Sequence, residues 1–193
     1  MPAPPLILAS SSVYRRALLE RLKLPFTVGD PDVDESALPD ESAAARALRL
    51  AEAKARAVRA TPSALVIGSD QVAELDGTHL GKPGGHAAAV RQLRAMRGRK
   101  VVFHTALCLH NASSGVVQCA NVPTKVTFRD LSDAQIEHYL QLERPYECAG
   151  SARVETLGIA LAHSIVAEDP TALIGLPLIA LVSMLQKEGI DVL

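Results

Sequence analysis

The chain has 193 residues, of which 48% are hydrophobic and 21% charged, and its formal net charge is −1. A chain of this length can bury a sizeable core, so we expect one domain over residues 1–193, built as one unit or as two intimate lobes. The near-neutral charge and the 3% of aromatic residues indicate neither a basic duplex-binding face nor a row of base-stacking aromatics. We therefore expect no nucleic-acid partner.

The first ten residues, MPAPPLILAS, carry no basic segment and only a short apolar stretch, which is unlike a secretory signal peptide. No later window approaches the ~20 apolar residues of a membrane span. We therefore predict a cytoplasmic protein with no membrane partner. The three cysteines, Cys108, Cys119 and Cys148, are predicted to be buried or unreactive thiols, because their odd number and wide spacing suit neither a disulfide framework nor a zinc site.

The segment LILASSSVYRR predicts a buried strand over Leu6–Ala9, three serines, and a helix with Ser12 as its N-cap. Arg15 and Arg16 then fall in the first turn, where the positive end of the helix dipole disfavours cations by about 0.3–1 kcal/mol. Two explanations stay open. Either both arginines are solvated and tolerated, or they belong to an anion site where helix N–H groups, serine hydroxyls and a guanidinium face one negative charge.

Strand and helix patterns alternate along the next part of the chain. A short strand near residues 26–28 precedes an acidic loop, GDPDVDESALPDES, and an alanine-rich helix over about residues 41–60. The segment ALVIGSD predicts a buried strand, and VAELDGTHLGKP predicts a hairpin with its turn at Asp76-Gly77. A helix over about residues 85–96 follows.

The second half of the chain continues this alternation. Two long β segments, KVVFHTALCLHN and GVVQCANVPTKVTFRD, flank the turn-forming ASSG and predict a long hairpin. Ser132 is the predicted cap of the helix DAQIEHYLQLE. A strand over about residues 159–166 and a helix over about residues 177–187 complete an α/β pattern.

Three further charged residues are candidates for a site. Asp70 ends the apolar strand ALVIGSD, where open α/β sheets place their ligands, so it can bind Mg²⁺, take a proton from water, or simply cap a turn. Glu35 lies in the acidic loop, where charges are usually solvated. Lys82 lies in a restrained turn between Gly81 and Pro83, which suits a phosphate ligand as well as an ordinary surface lysine.

These groups together are suited to phosphoryl chemistry, in which charge neutralisation and positioning supply most of the rate. The sequence contains no Walker segment G-x-x-x-x-G-K-[ST] and no G-x-G-x-x-G fingerprint, which argues against a P-loop or Rossmann enzyme. It also has neither H-E-x-x-H spacing nor a G-x-S-x-G nucleophile elbow.

Several segments, spread over nearly the whole chain, resemble the Maf nucleotide pyrophosphatases in the order of that family. They are LASSSVYRRALLERL, VDES, AEAKA, VIGSDQV, LDGTHLGKP, CAGSARVETLG and LIGLPLIALVSML. The resemblance implies hydrolysis of a nucleoside triphosphate between its α and β phosphates with a divalent metal such as Mg²⁺, Mn²⁺ or Co²⁺. It also implies a two-lobed mixed α/β sheet flanked by helices around a central cleft, similar to inosine triphosphate pyrophosphatases, and a chain able to form a homodimer.

The resemblance assigns roles to individual residues. Asp70 matches the catalytic base, and Glu35 matches a metal-associated carboxylate, so Glu35 and Asp70 are the implied metal ligands. Three cations and two serines match the positions that bind phosphate: Arg15, Lys54, Lys82, Ser10 and Ser12. Val13 departs from the family, which usually has proline there, a residue suited to the first helical position.

Three positions distinguish two branches of the family. The branch acting on dTTP and UTP has arginine, threonine and glutamine where this chain has Tyr14, Gln71 and Glu155, whereas the branch acting on 7-methyl-GTP has an aromatic residue, a glutamine and a glutamate. The chain resembles the second branch. Physical chemistry agrees, because methylation at N7 makes guanine cationic, which favours an aromatic face such as Tyr14, and the Glu155 carboxylate can accept both donors of the guanine edge.

Two alternative functions remain. One is a pyrophosphatase of the dTTP/UTP type, and the other is a nucleotide-binding regulator of cell division without turnover. A base at Asp70 favours an enzyme, because binding alone needs no base beside the phosphates.

Overall fold

The structure is a computed structural model that describes residues 4–193. Residues 1–3, which begin the segment MPAPPLILAS and the predicted domain over residues 1–193, lie outside it. Within the described range, seven strands form one mixed sheet and five α-helices accompany it, which confirms the predicted α/β class. None of these helices is long and apolar enough to span a membrane.

Strands and helices follow one another much as the sequence predicts. The strands are β1 Leu6–Ala9, β2 Phe26–Gly29, β3 Leu65–Leu75, β4 Thr78–Leu80, β5 Lys100–Asn111, β6 Val117–Phe128 and β7 Ala162–Ala167. The helices are α1 Val13–Glu20, α2 Ala43–Ala57, α3 His86–Met96, α4 Asp133–Glu143 and α5 Leu178–Lys187. Short 3-10 helices lie at Ala149–Ser151, Leu157–Leu161 and Ala172–Ile174.

The order of the strands leaves a gap on one edge of β3. The sheet runs β2-β1-β3-β5-β6-β7, with β4 also paired to β3. β1 pairs with β3 in parallel as far as Gly68, and β4 pairs with it antiparallel from Ala73. Within the described residues, Ser69–Val72 therefore has no strand beside it on that edge. Side chains from both faces of β3 can reach this opening, although successive residues point in opposite directions.

Two hydrophobic cores lie on one face of the sheet, one on each side of this gap. The first packs α1 and α5 against the start of β3 at Ile67, and the second packs α3 and α4 against its end at Ala73. On β3 and β5, three polar residues lie between the two cores on that face: Ser69, Gln71 and Thr105. The polar residues therefore lie between two separately packed regions of the sheet.

On the opposite face, α2 packs very close to the sheet. Its buried alanines recur every four residues over Ala43–Ala55. A Cβ added to Gly68 would lie 2.1 Å from the Ala51 carbonyl oxygen, so any side chain there would push the helix away from β3. The close packing brings Lys54, near the end of α2, against β3.

Asp70 does not end its strand, which corrects one prediction. The strand continues to Leu75, because β5 pairs with it from Leu65 to Glu74. What ends near Asp70 is the pairing with β1, whose last partner in β3 is Gly68. The aspartate therefore reaches the cleft through the gap beside β3 and not from a strand terminus.

Two predicted boundaries also differ from the structure. The alanine-rich helix begins after Ser42, whose side chain caps it, and ends before Val58, which is extended; it is therefore shorter than residues 41–60. The strand expected over residues 159–166 begins at Ala162. The first residues of the predicted strand lie instead in a 3-10 helix. The start of that helix overlaps a turn that is closed by a hydrogen bond from the Gly158 amide to the Arg153 carbonyl.

The prediction that all three cysteines are free thiols is wrong for two of them. Cys108 on β5 and Cys119 on β6 form a disulfide, with their Cα atoms 4.2 Å apart. The hairpin register places them directly opposite each other, and opposite residues of paired strands have neighbouring Cβ atoms. Cys148 is free and half-buried.

Candidate active site

Arg15 is held at the start of α1 by three groups. The Ser12 hydroxyl accepts a hydrogen bond from the Arg15 amide at 3.4 Å and so caps the helix. The Ser10 hydroxyl accepts one from Arg15 Nη1 at 3.4 Å, and the Gly175 carbonyl accepts one from Nε at 2.9 Å. The guanidinium is thus fixed beside the free N–H groups of the helix, an arrangement suited to binding an anion.

Arg16 lies in different surroundings. It pairs with Glu20 on the solvent side of α1, with 3.1 Å between Nε and the carboxylate. Of the two arginines, Arg15 is the one that lines the cleft. Burial lowers the pKa of Arg15, while the charges of Asp70 and Glu35 act in the opposite direction; the guanidinium remains charged because its ordinary pKa is so high.

Lys54 holds two carboxylates beside the gap in the sheet. Its side chain is only 8% exposed, and its Nζ lies 2.7 Å from Asp70 Oδ1 and 2.6 Å from Glu35 Oε1. Partial burial raises the pKa of Glu35, but the hydrogen bond and charge of Lys54, together with the charges of Lys82 and Arg15, outweigh it and lower the pKa below its ordinary value. Glu35 is therefore an anion at neutral pH.

Asp70 and Gln71 both line the cleft although their side chains leave β3 on opposite faces. Asp70 faces α2, where Lys54 binds it. On the other face, Gln71 Nε2 donates to Thr105 Oγ1 at 2.9 Å and to the carbonyls of residues 172 and 173 at 3.2 and 3.0 Å. These bonds fix the orientation of the Gln71 amide at the wall of the cleft.

Tyr14 and Glu155 belong to a second group of side chains, organised around Arg153. The guanidinium carbon of Arg153 lies 5.8 Å from the centroid of the Tyr14 ring, within the range of a cation–π contact. Burial raises the pKa of Tyr14, and the charge of Arg153 opposes this. Partial burial likewise raises the pKa of Glu155, again opposed by Arg153.

A single cleft of about 490 Å³ brings every predicted site residue together. Those residues are Ser10, Ser12, Tyr14, Arg15, Glu35, Lys54, Asp70, Gln71, Lys82 and Glu155. Lys82 is exposed on the loop between β4 and α3. The cleft is large enough for a small molecule and combines cations, carboxylates and one aromatic ring.

The family model for "Maf-like protein" matches residues 5–188 of this chain. The chain belongs to the Maf-like family. Three relatives named "7-methyl-GTP pyrophosphatase" are similar over nearly all of it: one from Methylobacillus flagellatus is 61% identical, covering 98% of this chain and 100% of the relative. One from Burkholderia pseudomallei is 59% identical, covering 96% and 88%, and one from Nitrosospira multiformis is 57% identical, covering 98% and 96%.

Solved structures give weaker likenesses to this Maf-like chain. A HAM1 protein from Coxiella burnetii is 15% identical with a TM-score of 0.47, covering 66% of this chain and 74% of the other. A nucleoside-triphosphatase, dITP/XTP pyrophosphatase, from Mycobacterium abscessus is 18% identical with a TM-score of 0.42, covering 66% and 75%.

Two arginines of α2 support the acidic loop, and neither is among the residues predicted for the site. Arg46 Nη2 donates to the Glu35 carbonyl at 2.8 Å, and Arg49 Nη2 donates to the Ser36 carbonyl at 3.0 Å. Arg49 also binds both oxygens of Glu41, which lowers the pKa of Glu41 to about 2. Their spacing of three residues puts both arginines on one side of the helix, a signal present in the sequence.

The carboxylates that could hold a divalent metal in this Maf-like site are Glu35 and Asp70. Residues 4–193 contain no group of three or more His, Cys, Asp or Glu side chains placed to hold an ion. Mg²⁺ commonly takes only one or two carboxylates and completes its shell with substrate phosphates and water. The donor set therefore fits an ion that arrives with a phosphate ligand.

Proposed function

We propose that this chain hydrolyses a nucleoside triphosphate between the α and β phosphates, releasing the monophosphate and pyrophosphate, and that 7-methyl-GTP is its preferred substrate. The observation that carries the proposal is the convergence of Arg15, Lys54, Asp70 and Glu35 on one cleft. The relatives named 7-methyl-GTP pyrophosphatase, which match nearly the full chain, support the same activity.

The phosphates bind where α1 begins. Arg15, the capping Ser12 and Ser10 present N–H and hydroxyl groups to the negative charge, and Lys82 approaches from the loop at the rim of the cleft. Such donors act most strongly on the charge that builds up as the phosphoanhydride breaks, because they are fixed before the reaction. The proposed role of this group is the same for every base.

Asp70 is the proposed general base. Its Oδ1 is engaged by Lys54, and Oδ2 has no hydrogen-bond partner among the described residues, so Oδ2 is the atom that takes a proton from the attacking water. Lys54 orients the carboxylate and balances its charge together with that of Glu35. A divalent metal such as Mg²⁺, Mn²⁺ or Co²⁺, held by Glu35 and Asp70, would neutralise phosphate charge when bound.

Tyr14, Gln71 and Glu155 are the proposed base-selecting residues. Tyr14 offers an aromatic face to the cationic ring of 7-methylguanine. Glu155 accepts hydrogen bonds from the two donors of the guanine Watson–Crick edge, whereas uracil and thymine have one donor there. The Gln71 amide, fixed by hydrogen bonds from its Nε2, lines the same cleft.

A panel of nucleoside triphosphates tests this function. Pyrophosphate release is measured for 7-methyl-GTP, GTP, UTP and dTTP with Mg²⁺, Mn²⁺ and Co²⁺. The proposal expects the highest kcat/KM for 7-methyl-GTP. Binding without release of pyrophosphate would support a nucleotide-binding regulator instead, and a preference for UTP and dTTP would support the pyrimidine type.

A further inference from the structure

The loop that carries Arg153 and Glu155 is attached to the end of α4 by one carboxylate. Glu143, the last residue of α4, accepts hydrogen bonds from the Leu157 amide at 3.1 Å, the Thr156 hydroxyl at 2.8 Å and Arg153 Nη1 at 3.3 Å. Its side chain is only 14% exposed. Glu155 therefore lies between residues that Glu143 holds on both sides.

The same attachment reaches Tyr14 through Arg153. The Glu143 backbone carbonyl also accepts a hydrogen bond from Arg153 Nη1 at 3.3 Å, so the guanidinium is tied twice to one residue. One turn earlier in α4, the Tyr139 hydroxyl accepts a hydrogen bond from the Arg153 amide at 3.0 Å. The guanidinium fixed in this way stands over the ring of Tyr14, and Arg153 itself does not line the cleft.

The loop has little freedom to adopt another shape while these bonds hold. The amides of Thr156 and Gly158 both donate to the Arg153 carbonyl, at 3.3 and 2.9 Å. A Cβ at Gly158 would lie 2.3 Å from that carbonyl oxygen. The turn is therefore tight, and its direction depends on the point at which it is attached to α4.

We propose that Glu143 is a positioning residue for base selection, acting through the loop of residues 153–157 on Glu155 and through Arg153 on Tyr14. This role rests on the proposed function, because it requires that these two side chains contact the base. Glu143 does not line the cleft and touches no phosphate-binding residue. Its loss is expected to change which base is chosen and to leave the binding of the phosphates unchanged.

The test variant is Glu143→Gln. Both carboxylate oxygens of Glu143 are acceptors here, and an amide has one acceptor oxygen, so one loop donor must face an NH₂ group. We expect the ratio of kcat/KM for 7-methyl-GTP over UTP to fall about 5- to 10-fold, the effect of leaving a donor unpaired. The inhibition constant of inorganic triphosphate, which has no base, is expected to stay unchanged.

Matched variants separate a positioning role from a structural one. Glu137→Gln makes the same chemical change on the same helix, where the carboxylate binds His86, and should leave the ratio unchanged. Arg153→Met removes the guanidinium that lies over Tyr14 and should also lower the kcat/KM ratio. This variant tests the proposal independently if Glu143→Gln does not fold. In the double variant Glu143→Gln/Glu155→Gln the two effects should add only in part, because Glu143 acts partly through Glu155.

Three results would overturn the role of Glu143. They are an unchanged ratio in folded Glu143→Gln with unchanged rates, an unchanged ratio with an equal loss of rate for every nucleotide, and weaker inhibition by inorganic triphosphate. A wild-type protein that shows no preference for 7-methyl-GTP over UTP contradicts the proposed function itself and removes the basis for this role. The wild-type measurement therefore distinguishes the two failures.

Discussion

The two halves of the cleft are built by different parts of the fold. The proposed phosphate half is centred on α1, α2 and β3, where Lys54 and Asp70 are buried and bound to each other, and two loops contribute one further residue each. In the proposed base half, two residues also lie on α1 and β3, but Glu155 lies on the loop of residues 153–157, which Glu143 attaches to the end of α4. A site carried by regular elements is held by the whole core, whereas a site on a loop depends on a few attachments. The two halves should therefore respond differently to mutation.

The largest expected effect is in the phosphate half. Asp70→Asn keeps the shape of the side chain and an acceptor for Lys54 but removes the base and one negative charge, so kcat should fall by about 10² or more for every nucleotide. The melting temperature checks that the variant is folded. Near-normal turnover in a folded Asp70→Asn protein would exclude Asp70 as the base.

The pair of arginines on α1 provides an internal control for phosphate binding. Arg15→Ala removes the guanidinium held by Ser10 and Gly175, and kcat/KM should fall by roughly 10- to 100-fold for all bases, the effect of losing charge-assisted hydrogen bonds. Arg16→Ala removes only an exposed pair with Glu20 and should change little. A loss confined to one base in Arg15→Ala would contradict a role in phosphate binding.

In the base half, Glu155→Gln should reduce the preference for guanine over pyrimidine nucleotides by roughly 1–3 kcal/mol, because the amide can accept from only one of the two donors on the guanine edge. The measurement is kcat/KM for GTP and UTP in the variant and the wild type. An unchanged ratio with an equal loss of rate for both nucleotides would show that Glu155 does not select the base. The two halves of the cleft would then respond to mutation in the same way.

Tyr14→Ala should have a smaller effect, limited to the charge on the base. The preference for 7-methyl-GTP over GTP should fall by roughly 0.5–2 kcal/mol, the contribution of a cation–π contact. The control is Tyr14→Phe, which keeps the aromatic ring next to which Arg153 lies. This variant should retain the preference for 7-methyl-GTP over GTP. Equal losses in Tyr14→Ala for both nucleotides would indicate a packing role.

The smallest effect concerns the acidic loop that carries Glu35. The pKa of Glu41 is lowered to about 2 by its hydrogen bonds to Arg49. A lowered pKa means that its contribution to stability is fully present above the ordinary value of 4.5 and is lost as the pH falls toward about 2. NMR titration of the Glu41 carboxyl should show this, and Arg49→Met should return its pKa toward 4.5. A normal pKa in the wild type would show that Arg49 does not hold the loop through Glu41.

The sequence was most informative where a pattern is local. Helix α4 and strand β5 have the predicted bounds, and Ser12 and Ser132 are the predicted caps, because periodicity and capping depend on neighbouring residues. The disulfide was missed although the predicted hairpin contained it: a turn at ASSG sets Cys108 opposite Cys119. The spacing of the cysteines alone does not reveal this disulfide, because the pairing depends on the register of the two strands.

Non-local features of the site could not be predicted in this way. Asp70 lies in the middle of a strand and reaches the cleft only because β1 stops pairing before β4 begins, which depends on chain topology. Glu143 resembles any helix-terminal glutamate in the sequence, and its partners are 10 to 14 residues further along the chain. The resemblance to a family supplied the candidate site residues, but not Glu143 or the two arginines of α2 that support the acidic loop.

The products of the reaction show whether the chain cleaves between the α and β phosphates. Wild-type protein is incubated with 7-methyl-GTP and a divalent metal, and the products are followed by ³¹P NMR. We expect pyrophosphate and 7-methyl-GMP in equal amounts, and formation of both about 10² or more times slower when Asp70→Asn is used instead. Orthophosphate with 7-methyl-GDP, or an unchanged triphosphate in the presence of folded wild-type protein, would contradict this expectation.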